Sequence, residues 1–556
     1  MKENPEKARL RERLFAMSAD LALFNGNVIT INQKQPRAEA VAVKGGKIIG
    51  VGRNSEIKQY CGPKTETLDL KGKTLLPGFI DSHSHMIISG TALLGVDCGI
   101  NTNKSINDIL VKVKERAETL PKGAWIEGSG YDDTLMAEKR HPNRWDLDKV
   151  APDHLVVIHH ISGHLSAVNS RALALAGISK DTPDPEGGEI FRDERGEPIG
   201  VLAEPPAQIL VRRLIPPKTV DDLLKGLQLA NAKYVEAGVT TTNDGGMHDD
   251  IGLLVYEKAH SSSSISIRAY ANSWTDELEE ILEEGQGIDK LGICSGCGDE
   301  WVKMGAAKIT QDGSIQGLTG ALLEPYVCDP SRTGILIHPQ EELDEMVLKY
   351  HKAGFQVQIH GNGDRAIESI LLAYERALAA YPRSDHRHHI IHCQMVSEDQ
   401  LRRMAKLGVV ANFFPVHVYY WGDRHRDLFI GPQRAARIDP LKSALNHGVI
   451  FGLHTDYPVT PISPLWDLYS AVARETRDGQ ILGKDQAISV EEALKALTIN
   501  AAYLIFEEHI KGSIEIGKLA DFVVISADPF QIAPSDLKGL QVELTIVGGK
   551  TVYQGS

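Results

Sequence analysis

Eight short apolar segments, alternating with stretches patterned as helices, constrain this chain more than any other feature. They are Leu75–Asp81, Gly238–Asn243, Ile265–Ala271, Trp301–Ile309, Gln356–His360, His389–His392, Val409–Phe413 and Val449–Leu453. Runs of this length and composition suit buried strands. Between them, EELDEMVLKYHKAGF, GDRAIESILLAYERALAAYP and SEDQLRRMAKLG carry the helical period. Eight such units are the number that closes a (β/α)₈ barrel, so the expected class is α/β with a TIM-like barrel.

Both ends depart from this pattern. Ala22–Ile31 and Ala40–Val51 are rich in β-branched residues with Asn-Gly and Gly-Gly turns, and Ala520–Ile525, Val542–Val547 and Lys550–Tyr553 repeat the style. Two β-rich ends around a different middle predict one small β-sandwich built from both termini. About 150 residues separate the first two barrel strands, far beyond an ordinary connection. They contain an apolar strand of their own, His154–Ile158, and a helical NSRALALAG. The expected organisation is a tail over 1–19, a sandwich over 20–74 and 511–556, a barrel over 75–97 and 219–510, and an insertion over 98–218. Loops at the C-terminal strand ends carry active sites in this fold, so that insertion is expected to cover the barrel mouth.

Composition narrows the function classes. Apolar content of 42% and charged content of 24% suit a soluble globular protein. A net charge of −14 argues against a nucleic-acid partner. No apolar stretch approaches the roughly 20 residues that span a bilayer, and the N-terminus lacks the apolar core of a secretory signal. The expectation is a cytoplasmic enzyme whose partner is a small-molecule substrate, with a homodimer as an option. The six cysteines show no disulfide framework, and Cys294-Ser-Gly-Cys297 is a single CxxC, read as loop thiols.

The chemistry concentrates at the strand tips. His83-Ser84-His85 ends the first strand, and residues i and i+2 of a strand share a face. Two adjacent neutral imidazoles make poor core and a good divalent-metal claw. An isolated HxH is more often a pair of surface histidines; the other tips reverse the odds. Lys308, His360, His392 and Asp456 end the fourth, fifth, sixth and eighth strands.

With these residues in view, the chain resembles the amidohydrolase superfamily, from about residue 20 to the end. PGFIDSHSH, the two-ended sandwich and GSIEIGKLADFVV carry the resemblance. WIEGSGYDD, HLSAVNS, GVTTTNDGG, KITQDGS and HTDYPV make it similar to the N-substituted formamide deformylase-like branch. The resemblance implies a zinc centre of one or two ions held by His83, His85, His360, His392 and Asp456. It also implies a carboxylated lysine bridging two metals, at the position of Lys308. An ammonium beside two cations is driven toward its neutral form, which can add CO₂. The plain alternative is a salt bridge at Lys308. Lys303, by strand parity, faces the other way.

Asp456 is expected to act as general base as well as ligand, taking the proton of a metal-activated water and passing it to a leaving amine; the alternative is a helix N-cap. Candidate substrate contacts are His164, His417 and Tyr131. His164 is equally a cap for NSRALALAG, and for Tyr131, Asp132 and Asp133 a hydrogen bond from the insertion to the barrel is the favoured alternative. Asp312-Gly313 is read as a turn, and His454 as a cavity-lining residue.

The leading expectation is hydrolysis of a non-peptide C–N bond, of amide or formamide type. A deaminase is the alternative, but related deaminases carry His-x-x-Glu at the fifth strand, and here position 363 is glycine. A noncatalytic scaffold would be expected to lose ligands, and every tip keeps one.

Overall fold

The computed structural model describes residues 18–100, 102–247, 252–275, 278 and 294–555. The tail expected over 1–19 therefore lies outside the described residues except for Ser18 and Ala19.

Eight parallel strands form the central sheet in consecutive order. They are β1 (Phe79–Ser84), β2 (Val239–Met247), β3 (Arg268–Trp274), β4 (Val302–Thr310), β5 (Val357–Gly361), β6 (His389–His392), β7 (Val410–Phe413) and β8 (Phe451–Leu453). Ser82 Oγ, donating to the Leu453 carbonyl at 2.8 Å, and backbone bonds just beyond β8, Asp456 N–H to the His83 carbonyl at 3.1 Å and His85 N–H to the Tyr457 carbonyl at 2.8 Å, close the seam between β8 and β1. Helices pack outside the barrel through apolar stripes. Leu343, Val347 and Tyr350 of the helix Gln340–Lys352 share a buried cluster with Ile367, Ile370 and Leu371 of the helix Asp364–Ala380. Inside the barrel the floor is polar and cross-bonded. Asn243 and Asn412 both donate to the Ser82 carbonyl, at 2.8 and 3.0 Å, and Asn272 donates to Asn243 Oδ1 at 2.7 Å.

Two expected strands break where the chain changes sheet. Leu75–Asp81 splits at Pro77-Gly78. Thr74–Pro77 pairs antiparallel with Phe522–Ile525, and Phe79–Ser84 becomes β1. A Cβ on Gly78 would stand 2.3 Å from the Thr240 side chain, so only glycine lets the chain turn here. Ala22–Ile31 splits likewise at Asn25-Gly26, with Asn25 at φ 55°.

The terminal strands form two facing sheets. One has four strands, all N-terminal: Leu21–Phe24, Ala40–Lys44, Lys47–Gly52 and Glu66–Asp69. The other has six and mixes the ends: Asn27–Ile29, Arg37–Ala38 and Thr74–Pro77 with Phe522–Ile525, Val542–Val547 and Lys550–Gln554. Leu21, Val41 and Ile48 of the first share a core with Leu75, Phe522 and Leu544 of the second. Arg268 of β3 anchors this unit to the barrel through two bonds to Asp521, 2.7 and 3.0 Å, between buried side chains.

Between β1 and β2 a further sheet forms from Val96–Asp97, Trp125–Tyr131, Leu155–His160, Leu165–Val168, Glu189–Arg192 and Pro198–Ala203. It leans on loops that follow barrel strands. Arg332, beyond β4, makes a bidentate pair with Glu189, both bonds 2.9 Å. Arg424, in the helix after β7, reaches Asp132 at 3.4 Å and also bonds Thr134.

Candidate metal centre

The strand tips converge. His83 Nε2 and His85 Nε2 stand 3.5 and 3.4 Å from Asp456 Oδ1, and His392 Nε2 stands 3.9 Å from Asp456 Oδ2. The His360 and His392 rings lie 4.6 Å apart between centroids. Ligand atoms bound to zinc at about 2.0–2.1 Å in a tetrahedron lie roughly 3.3 Å from one another. The separations around Asp456 Oδ1 are close to that edge and long for hydrogen bonds.

Polar atoms of these side chains are also left over, among them the second ring nitrogen of each histidine that faces Asp456. His83 Nδ1, His85 Nδ1, His360 Nδ1, His392 Nδ1 and Asp456 Oδ1 are buried without a hydrogen-bond partner. Buried polar atoms are normally paired. A nitrogen-and-oxygen set of this kind suits a borderline divalent cation such as zinc, so the residues present fit the metal that the sequence implies.

Electrostatics set the histidines in their binding form. Burial first, and then the neighbouring charges (Lys308 for His83, His164 for His360, His360 for His392), hold these three well below the ordinary imidazole range. They are neutral, as metal binding requires. Burial pushes Asp456 up, but the close approach of His85 and the charges of His85, His454 and Lys308 outweigh it and hold the carboxyl below its ordinary range. The backbone is strained at two of these positions, with φ 64° at His392 and 51° at Asp456. Such conformations persist where surrounding structure enforces them.

Glycine makes room for the HxH pair. A Cβ on Gly245, in β2, would lie 2.4 Å from His83 Cε1 and 2.6 Å from His85 Cε1. This gives a steric reason for one glycine of the GVTTTNDGG segment.

Lys308 is buried on β4, with its ammonium 5.5 Å from the Trp274 ring centroid. It forms no ion pair within 4 Å among the described residues, so the salt-bridge alternative does not describe it. Burial lowers its pKa to about 7 against the opposing pull of Asp456.

The three candidate substrate contacts fall in different places. His164 comes from the insertion, and its ring centroid lies 5.0 Å from that of His360. It does not cap NSRALALAG; Asn169 does, accepting from the Ala172 N–H. His417 is buried with its ring 5.9 Å from that of His392, and its Nδ1 stands 3.4 Å from Asp439 Oδ1. Tyr131 corrects the sequence reading: it is fully buried in the insertion core, and its hydroxyl meets His141 Nδ1 at 3.3 Å. Its ring packs in the insertion's buried cluster and its hydroxyl is taken up by His141. His454 lines the site as expected, 5.2 Å from His83 and 5.1 Å from His392 between ring centroids.

Asp312 is more than a turn residue. It is fully buried and accepts backbone N–H bonds from Ala321, Asn362 and Gly363 at 2.9, 3.0 and 2.8 Å, while its Oδ1 lies 3.2 Å from His360 Nδ1. Burial pushes its pKa up to about 7 despite those bonds. Sequence reasoning also missed Glu204, which pairs with His164, and the Asp81–Thr455 bond across the seam. No local pattern marks either, because each joins residues distant in the chain.

The amidohydrolase family model matches residues 66–553, most of the chain. The chain belongs to the amidohydrolase family. The family member described here is 32% identical over 553 residues to the putative amidohydrolase YtcJ of Bacillus subtilis, covering 96% of this chain and 100% of that one. It is 31% identical over 540 residues to the N-substituted formamide deformylase of Arthrobacter pascens, covering 96% and 98%. Among solved structures, an uncharacterized metal-dependent hydrolase from Pyrococcus horikoshii superposes on this amidohydrolase with a TM-score of 0.72 at 25% identity, covering 92% and 99%.

Proposed function

We propose that this amidohydrolase is a metal-dependent hydrolase of a non-peptide C–N bond in a small molecule, of amide or formamide type. The observation that carries the reading is the convergence of three imidazoles, His83, His85 and His392, on the Asp456 carboxylate, with His360 against His392 and Asp456 Oδ1 left unpaired. His83, His85, His360, His392 and Asp456 would hold the metal, zinc being the proposed ion, with Lys308 as a carboxylated bridge if two are bound. When bound, the metal supplies Lewis acidity that polarises a carbonyl and acidifies water.

The protein's own part is proton handling and orientation. Asp456 Oδ1, ionised and unpaired, accepts the proton of the attacking water and returns it to the amine nitrogen as the C–N bond breaks. His164 and His417 stand beside His360 and His392 and are the proposed substrate contacts. The similarity to an N-substituted formamide deformylase makes N-formyl compounds the first class to try.

Deamination is disfavoured by space as well as by residue type. A Cβ at Gly363 would lie 1.8 Å from the Ala321 carbonyl oxygen, so no glutamate fits at the fifth-strand position where deaminases carry one. Hydrolysis of N-formyl, N-acyl and cyclic amides by zinc-loaded protein tests the proposal. Release of amine from at least one class, abolished by chelator, is expected. Release of ammonia from an amino-heterocycle with no amide turnover would overturn it.

A further inference from the structure

The insertion sends one acid–imidazole pair to the barrel centre. Leu165–Val168 and Pro198–Ala203 pair antiparallel with Leu165 opposite Ala203, so His164 and Glu204 emerge side by side, joined by a backbone bond of 2.7 Å from Glu204 N–H to the His164 carbonyl. Their side chains meet again, His164 Nδ1 to Glu204 Oε2, at 2.7 Å.

Glu204 is an expensive residue for a packing role. It is wholly buried, stands at φ 64°, and its second oxygen, Oε1, has no hydrogen-bond partner. A Cβ at Gly313 would lie 2.1 Å from that oxygen, so the loop after β4 is glycine where the carboxylate presses on it. Burying a carboxylate is unfavourable unless it is paired, and an apolar side chain would close the insertion on the barrel without that cost. What the carboxylate adds is direction: bound through Nδ1, the imidazole is held in one orientation. Nε2 takes no hydrogen bond from the described residues, and the ring stands against His360.

We propose that Glu204 is a positioning residue that orients His164, so that the insertion supplies an imidazole Nε2 that hydrogen-bonds the amide group of the substrate at the reacting end. This rests on the reading of the centre as a C–N hydrolase and makes the insertion part of the active site.

The test uses the zinc-loaded full chain with H164Q, E204A and E204Q, and N-benzylformamide as probe, with N-benzylacetamide and a cyclic amide in parallel. A strongly downfield imidazole N–H proton resonance, the mark of an Nδ1–H bonded to a carboxylate, is expected in the parent protein and lost in H164Q and E204A. Turnover should fall by about 10²-fold in H164Q and at least about 10-fold in E204A, the scale of losing a positioned polar group. Metal content and KM should stay near the parent values, with E204Q, which keeps an acceptor, falling less than E204A. Full turnover in folded, metal-replete E204A and E204Q would overturn the proposal, as would a resonance unchanged by E204A. If the parent protein hydrolyses none of the amide probes, the C–N reading fails, and the pair is decided by the resonance, whose absence from the parent protein overturns it.

Discussion

Thr455 locks onto Asp81 across the barrel seam: its Oγ1 donates to Asp81 Oδ2 at 2.6 Å and its backbone N–H donates to Oδ1 at 3.2 Å. Asp81 lies two residues before His83, and Thr455 immediately precedes Asp456. Together with the backbone bonds from Asp456 N–H to the His83 carbonyl at 3.1 Å and from His85 N–H to the Tyr457 carbonyl at 2.8 Å, the Thr455–Asp81 bond fixes the HxH pair relative to the carboxylate. Asp81 is buried, and burial pushes it up to about 7. Thr455→Val keeps the shape and removes the hydroxyl donor. It should destabilise the protein by about 1–3 kcal/mol, the cost of an unmet buried acceptor, and lower metal affinity. Denaturant unfolding and metal titration check this; unchanged midpoints and affinity would show that the seam does not depend on the bond.

The metal assignment predicts joint losses. His83→Ala or His360→Ala should reduce bound zinc and hydrolysis together. Gly245→Ala should do the same without touching a donor, because the added methyl would overlap both His83 and His85. Elemental analysis after dialysis reads the outcome, and full occupancy in these variants would refute the site.

Asp456→Asn tests the base. The amide preserves shape and one oxygen but accepts no proton, so the turnover number should drop by at least roughly 10²-fold, typical of general-base loss. Circular dichroism should show the fold intact. Near-normal turnover would send the proton elsewhere.

Lys308 gives a test of the number of metals. If its amine carries CO₂, assembly depends on bicarbonate, Lys308→Ala retains at most one ion per chain, and a short carboxylate in solution partly restores the second. Its lowered pKa, about 7, leaves much of the amine neutral and able to add CO₂ at neutral pH. Two ions per chain in Lys308→Ala without added carboxylate would rule out the bridge.

A histidine relay on the barrel's outer face sets part of the acid stability. His388 Nδ1 accepts from the Val357 N–H at 3.0 Å, so its proton lies on Nε2, which donates to His351 Nδ1 at 2.9 Å. Burial, and then His386, His351 and Arg383, hold His388 well below the ordinary imidazole range. The unfolded chain then binds more protons than the folded one below about pH 6.5, so stability is fully present above that value and falls as pH drops. His388→Asn can still accept from Val357 but does not titrate, and the fall of the thermal midpoint between pH 7 and 5 should be shallower. An identical slope would remove His388 from the account.

Much of the site was legible because its logic is local. Strand direction and the two-residue period put His83 and His85 on one side, and strand ends place Lys308, His360, His392 and Asp456 at one rim without knowledge of packing. The eight strands were legible for the same reason, each carrying its own run of apolar residues. The breaks at Pro77-Gly78 and Asn25-Gly26 were not, because an apolar run does not say which sheet will take each half.

Residue order alone thus determined the barrel, its polarity and which side chains stand at its rim. The tertiary structure decided what stands around them: that His164 meets Glu204 and His360 instead of capping a helix, that Asp312 is buried beside His360, that Tyr131 turns into the insertion core, and that Gly363 leaves no room for a glutamate. These are contacts between segments far apart in the chain. Their free energies come from burial, desolvation and steric exclusion, which exist only once the segments are packed.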